Sequence, residues 1–220
     1  IIEPASVEAN VFDFQNSLPL MGPVILGTLL KQAGHNVKVI KENLSPRKIG
    51  MTDLEGDYLL LSCLTPTVER GYELAQMFRR KNPESKIILG GVHPTFLPDE
   101  GEPFADHIVT GEAESVIADL ITYGADEKVI AGKPVNDLDS IPMPDFSILD
   151  SWENLKVSPV ITSRGCPFAC NFCSVTKMFG RRYRTISVER AVEETERSLT
   201  KTIFYYDDNF SANLKRTHQL

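Results

Sequence analysis

Tyr58-Leu59-Leu60-Leu61-Ser62 is an apolar run lying between Asp57 and the turn Cys63-Leu64-Thr65-Pro66. A strand with apolar side chains pointing to both sides is covered on both faces, as an inner strand of a parallel sheet is. Working outward, Thr65 is expected to cap a helix with Pro66 at its first position, because a hydroxyl at the cap and a proline just inside satisfy the free N–H groups of a first turn. Val68, Tyr72, Ala75 and Phe78 would form the inner stripe of that helix, and Asn82-Pro83 would stop it. Lys86-Ile87-Ile88-Leu89 reads as the next strand, ending in Gly90-Gly91. A further strand is expected over 107–110, then a helix over 112–123 with Val116, Ile117, Leu120 and Ile121 inward. Upstream, residues 21–33 form a helix apolar nearly all round, Gly34 sits where a left-handed residue would end it, and 37–40 is a strand. This alternation of strand and helix is α/β, a doubly wound, Rossmann-like parallel sheet covering 1–132.

Ligands of such sheets bind outside the carboxyl ends of the strands. There the chain places Ser62, followed by Leu64 and Thr65, and the side-chain-free pair Gly90 and Gly91, which together leave room for a flat, bulky group. His93 follows in Gly91-Val92-His93-Pro94. It can be read as an axial metal ligand or as a histidine hydrogen-bonded within its loop.

Beyond Tyr123 the character changes. Gly124, Gly132, Pro134, Pro142, Pro144 and Pro159 among many acids read as an extended connector, placed at 133–158. After the short run Val160-Ile161-Thr162 comes Ser163-Arg164-Gly165-Cys166-Pro167-Phe168-Ala169-Cys170-Asn171-Phe172-Cys173, with three cysteines at CxxxCxxC spacing. Such a triplet can converge on one iron-sulfur cluster and leave one iron open. A zinc site, a disulfide with a spare thiol, or buried cysteines are the other readings. Zinc structural sites take four ligands, and no fourth Cys or His lies near in sequence. No acid occurs from Ile161 to Val188, whereas Arg164, Lys177, Arg181, Arg182 and Arg184 do. This basic run either balances a thiolate-ligated cluster and a carboxylate ligand or is a solvated loop. Ser187 is expected to cap a helix whose inner face is Val188, Ala191, Val192, Thr195 and Leu199. A strand over 202–206 and Asp207-Asp208-Asn209 follow, completing a βαβ unit like the opening of a (β/α) barrel.

The CxxxCxxC loop resembles the signature of the radical S-adenosylmethionine (radical SAM) enzymes. Ser62-Cys63-Leu64 and Gly90-Gly91 ahead of it resemble two of the three sequence marks of cobalamin-binding domains. The third mark, DxHxxG, is absent from the loop Asn16-Ser17-Leu18-Pro19-Leu20-Met21-Gly22, so a bound cobalt would have no histidine beneath it. The order of domains resembles the cobalamin-binding subgroup of that superfamily. The resemblance implies that Cys166, Cys170 and Cys173 hold a 4Fe-4S cluster, and that SAM chelates its open iron and is cleaved reductively to a deoxyadenosyl radical. It further implies that Phe172, Arg184, Asp207 and Asp208 lie against SAM, that Ser62, Leu64, Thr65, Gly90, Gly91 and His93 belong to the cobalamin site, and that the reaction is methyl transfer to a small-molecule substrate. Oxidation or cyclisation with a degenerate cobalamin domain, and a non-catalytic cobalamin or electron-transfer module, stay open. An external reductant such as ferredoxin or flavodoxin is the implied partner. Residues 159–220 would then begin a partial barrel that needs roughly four more βα units of ~30 residues each, so the chain is expected to be an N-terminal part.

At 220 residues, 42% of them hydrophobic, the chain can bury a sizeable core. A net charge of -7 argues against general affinity for nucleic acid or an anionic membrane. No apolar run approaches the ~20 residues of a spanning helix. Clustered cysteines with one distant companion, Cys63, fit metal ligation in a reducing compartment, which points to the cytoplasm.

Overall fold

The computed structural model describes residues 1–6 and 18–220; Asn16 and Ser17 of the loop read above lie outside them. Six parallel strands make one sheet: β1 (Ile2–Glu3), β2 (Ile40–Lys41), β3 (Tyr58–Ser62), β4 (Lys86–Gly90), β5 (His107–Gly111) and β6 (Val129–Gly132). Their spatial order is β2-β1-β3-β4-β5-β6. The chain thus reverses its direction of travel across the sheet between β1 and β3, the switch point at which such sheets open a crevice.

Alternation of side chains explains the two layers. Leu59, Leu61, Ile87, Leu89 and Ile108 face one way, onto Leu74, Ala75 and Phe78 of the helix α2 (Val68–Lys81). Leu60, Ile88 and Val109 face the other way, onto Leu30 of α1 (Met21–Gln32) and onto Ile117 and Leu120 of α5 (Ile117–Tyr123). Two short helices, α3 (Val92–Phe96) and α4 (Pro98–Gly101), fill the span from β4 to β5. Each fully buried Leu or Ile contributes about 1.5–3 kcal/mol relative to an exposed one.

Several expected boundaries move. The strand expected over 37–40 is β2 at Ile40–Lys41, and Val39 makes only a single bridge, to Leu149. Lys41 is drawn into the sheet because its ammonium is buried against the Glu3 carboxylate, itself buried. Burial pushes the Glu3 carboxyl up, partly offset by Lys41. The α2 helix is preceded by a 3-10 turn, Thr65–Thr67. The Leu64 N–H, just before that turn, donates to the Thr67 hydroxyl at 3.0 Å, and the expected Thr65 cap of α2 does not form, because the helix begins after Thr67 with no side-chain cap. Residues 112–123 divide into a 3-10 turn, Ala113–Ser115, and α5, because Glu112 is engaged elsewhere. The connector is not a free extended stretch. Its Leu138 and Ile141 pack on Met21 and Ile25 of α1, and Ile148, Leu149 and Leu155 on Val24 and Val39.

In the remaining chain β7 (Ser158–Val160) pairs in parallel with β10 (Ile203–Tyr205), and β8 (Ser163–Arg164) pairs antiparallel with β9 (Arg184–Thr185). Helix α6 (Ser174–Phe179) follows the third cysteine, α7 (Val188–Glu196) lies between β9 and β10, and α8 (Leu214–Thr217) comes last. The Ser187 hydroxyl caps α7, accepting from the Arg190 N–H at 3.3 Å. Of the expected inner face of α7, Ala191 is fully buried, but Val192 and Leu199 are each 38% exposed. Among the described residues no helix is long and apolar enough to cross a membrane.

Candidate functional site

The carboxyl ends of the two parallel sheets face each other. Ser62 at the end of β3, Gly91 beyond β4 and Gly111 at the end of β5 lie on one side; Ser163, Tyr206 and Asp208, at the ends of the second sheet, lie on the other. Between them is a cleft of about 240 Å³. Its sheet side is poor in side chains. A Cβ on Gly22, at the start of α1, would meet nothing within 4 Å. Across the cleft the Ser163 hydroxyl is buried with no hydrogen-bond partner, an arrangement that suits a polar ligand group.

The cobalamin-site residues expected from sequence do not all reach this cleft. Ser62 and Gly91 line it; Leu64, Thr65, Gly90 and His93 are not among its lining residues. Gly91 has φ +98°, and a Cβ there would fall 2.7 Å from the Cys63 carbonyl oxygen and 2.8 Å from its nitrogen, so only glycine fits. A Cβ on Gly90 would make only ordinary contact, 3.5 Å from the Val109 oxygen. The close approach of the two loops therefore already requires the second glycine. The buried His93 has both ring nitrogens engaged, Nδ1 at 3.3 Å from the Thr65 hydroxyl and Nε2 at 3.2 Å from a Glu100 carboxylate oxygen. It is tied into its own loops, and an axial role would require one ring nitrogen to give up its partner. Cys63 is fully buried, and burial with the nearby Glu3 pushes its thiol up to about 12.

Cys166, Cys170 and Cys173 are free thiols in one loop, with Cys170 exposed and the others half-buried. The Cys173 N–H donates to the Cys170 carbonyl at 3.1 Å, which turns the loop before α6. Among the described residues no three His, Cys, Asp or Glu side chains stand around a common metal position. The donor set nevertheless fits a cluster: three unpaired sulfurs on one loop, at the carboxyl end of a parallel strand. Phe172 is 89% exposed and touches no other ring.

The turn after β10 clasps the start of this loop. One Asp207 oxygen accepts the Thr162 N–H at 2.7 Å and the Ser163 N–H at 2.5 Å, and the other accepts the Thr162 hydroxyl at 2.8 Å. Asp208 accepts the Gly165 N–H at 2.7 Å. Burial raises the Asp208 carboxyl, and neighbouring Asp207 adds to this despite the Gly165 bond. The Asn209 side-chain amide donates to Cys166 Sγ at 3.4 Å.

Sequence reasoning missed Glu112. It leaves the end of β5 and meets two arginines of the second half. Arg184 grips both carboxylate oxygens, with Nη1 at 3.0 Å from Oε2, and also donates to the Val135 carbonyl. Arg164 donates to Glu112 at 3.3 Å and to Glu114 at 2.6 Å. The Val135 N–H adds a bond to Glu112 at 2.9 Å. Burial alone would raise the Glu112 carboxyl, but the Arg184 and Val135 bonds and the two guanidinium charges outweigh it and leave it below the usual range. Arg184, expected against SAM, is thus committed to an acid of the first half, and Arg182 reaches only Asn136, at 3.4 Å. The signal in the sequence was charge complementarity. Glu112 and Glu114 follow a strand end, and their partners lie in a long basic stretch without acids.

Residues 8–121 match the family model described as B12 binding domain. The uncharacterized methyltransferase PH0819 of Pyrococcus horikoshii is 30% identical over 90% of this chain and 50% of its own length. The anaerobic magnesium-protoporphyrin IX monomethyl ester cyclase of Rubrivivax gelatinosus is 34% identical over 66% of this chain and 32% of its own length. The chain therefore spans a half or less of these relatives. Among solved structures, the radical S-adenosylmethionine methyltransferase TsrM from Kitasatospora setae, with cobalamin and a 4Fe-4S cluster bound, superposes with a TM-score of 0.66 over 98% of this chain and 50% of that one. At 16% identity this likeness shows the fold.

Proposed function

The chain belongs to the B12-binding domain family, and on that premise we propose that it is the N-terminal part of a cobalamin-dependent radical SAM enzyme, with 1–132 as the cobalamin domain, 133–158 as the connector and 159–220 as the start of the catalytic domain. The observation that carries this reading is the cleft itself. It sets the side-chain-poor edge of the cobalamin-type sheet opposite Ser163 and Arg164, from which the chain runs on into the three-cysteine loop; the cysteines themselves do not line it. Methyl transfer to a small-molecule substrate is the preferred reaction, in keeping with the methyltransferases among its relatives. Cyclisation is the second reading, favoured by the similarity to the cyclase.

In this proposal Cys166, Cys170 and Cys173 hold a 4Fe-4S cluster, and Ser62, Gly22, Gly91 and Gly111 receive an edge of cobalamin. When bound, the cluster would supply the electron for SAM cleavage and cobalamin would carry the methyl group. The chain's own residues do the positioning. Glu112, through Arg164 and Arg184, fixes the cysteine loop over the sheet edge. Asp207 and Asp208 hold the backbone from Thr162 to Gly165, which leaves Ser163 as a hydroxyl able to meet a ligand. Exposed Phe172 is available to cover the adenine of SAM. The electron comes from an external carrier such as ferredoxin or flavodoxin.

The test is anaerobic incubation of the full-length protein with SAM and a reductant. S-adenosylhomocysteine together with deoxyadenosine is expected. Deoxyadenosine with methionine alone would shift the reading to cyclisation or oxidation. Cys170→Ala should abolish SAM cleavage while cobalamin binding persists; unchanged cleavage in that variant refutes the assigned role.

A further inference from the structure

Three consecutive side chains beyond β10 meet the cysteine loop in order. Asp207 takes the N–H groups of Thr162 and Ser163, Asp208 takes that of Gly165, and Asn209 reaches the sulfur of Cys166. Order along the turn therefore matches order along the loop. The first two contacts end on backbone and fix where the loop starts; the third ends on a side-chain atom. An amide N–H has no acceptor function, so the Asn209 Nδ2 contact at 3.4 Å has one polarity, nitrogen donating to sulfur.

We propose that Asn209 is a positioning residue for the cluster, its amide N–H donating to the ligating sulfur of Cys166 and raising the reduction potential of the site. The inference rests on the reading of Cys166 as a cluster ligand. A hydrogen bond to a ligating thiolate withdraws electron density from it and so favours the more negative, reduced cluster. The couple concerned takes one electron from the external carrier and returns it to SAM. Without the donor, the same carrier reduces a smaller fraction of the clusters. Gly165, with φ +83° and its Cβ position 2.1 Å from the Arg182 carbonyl oxygen, keeps the chain tight just before the sulfur, so the Cys166 backbone has little room to swing away from Asn209.

The experiment is an anaerobic redox titration of the reconstituted full-length protein, followed by electron paramagnetic resonance, on the wild type, Asn209→Leu and Asn209→Gln. Iron and acid-labile sulfide are measured on each sample. Asn209→Leu keeps the branched shape and removes the donor; at a fixed solution potential its ratio of reduced to oxidised cluster should fall about tenfold, equivalent to ~59 mV for one electron. Asn209→Gln keeps an amide on a longer stem and should recover part of that shift, which a packing role alone would not produce. A fully loaded Asn209→Leu at the wild-type potential overturns the inference and leaves the proposed function standing. Wild-type protein without iron and sulfide overturns the proposed function, and the inference with it. Should Asn209→Leu fail to load, Asn209→Ala, uncharged and with no side-chain N–H, gives the same reading: a potential at or above that of the wild type refutes the assignment.

Discussion

The six-stranded sheet and the cysteine-bearing half are held together by different means. In the sheet, Leu59, Leu61, Ile87, Leu89 and Ile108 disappear into one layer and Leu60, Ile88 and Val109 into the other. In the second half, Phe168, Phe172, Val192, Leu199 and Phe204 keep 38–89% of their surface exposed, and the loop takes its shape from Asp207, Asp208 and Asn209. Apolar burial is non-directional and fixes where strands lie. Hydrogen bonds to named atoms fix where a particular sulfur lies. The first half is a scaffold, the second a directed geometry, and Glu112 is the charged join between them, beside the apolar contact of Met21 and Ile25 with Ile186 and Ala191.

Removing that join should have the largest effect. Glu112→Ala leaves buried guanidinium charge unpaired and should destabilise the full chain by about 3–5 kcal/mol in urea titration. Hydrogen exchange should rise first at 163–165 and 184–186, and equal protection there in mutant and wild type would show that the halves are held by something else. Acid acts in the same direction. The folded Glu112 carboxyl lies below its ordinary range near ~4.3, so its contribution is complete above that range and lost as pH falls through the lower folded value. Next comes the sheet. Leu89→Ala, at a fully buried position, should cost about 2–5 kcal/mol. Exchange should rise across β3, β4 and β5 together, because a packed layer fails as a unit; a rise confined to β4 would contradict the scaffold description. The smallest effect belongs to Phe172→Ala. At 89% exposure it should leave stability within about 0.5 kcal/mol while weakening SAM binding in calorimetry. Unaltered SAM affinity would remove Phe172 from the proposed site.

The same contrast explains what could be read from sequence. The strands β3, β4 and β5 were legible because each is an apolar run bounded by turn residues, and Gly34, with φ +93°, ends α1 as its position implied. Expectations failed where a polar partner distant in sequence decided the outcome. Lys41 is carried into β2 by Glu3, and a 3-10 turn closed by the Leu64–Thr67 bond takes the place of the expected Thr65 cap. Residues 112–123 do not start as one α-helix because Glu112 serves Arg164 and Arg184, 52 and 72 positions further on. In the connector, Leu138, Ile141, Ile148, Leu149 and Leu155 were masked by the surrounding prolines and acids, although they pack against α1 and Val39. The cysteine spacing was plain; the aspartates and asparagine that hold the loop were visible as residues, but their targets only exist once β7 and β10 are paired.

Pairing β7 with β10 in parallel has one more result. It turns the carboxyl-end margin of the second sheet toward that of the first, with Ser62 and Gly91 on one bank and Ser163 and Asp208 on the other. Two molecules seated on the two banks would therefore meet across a single cleft, with no need for either to travel between separate sites.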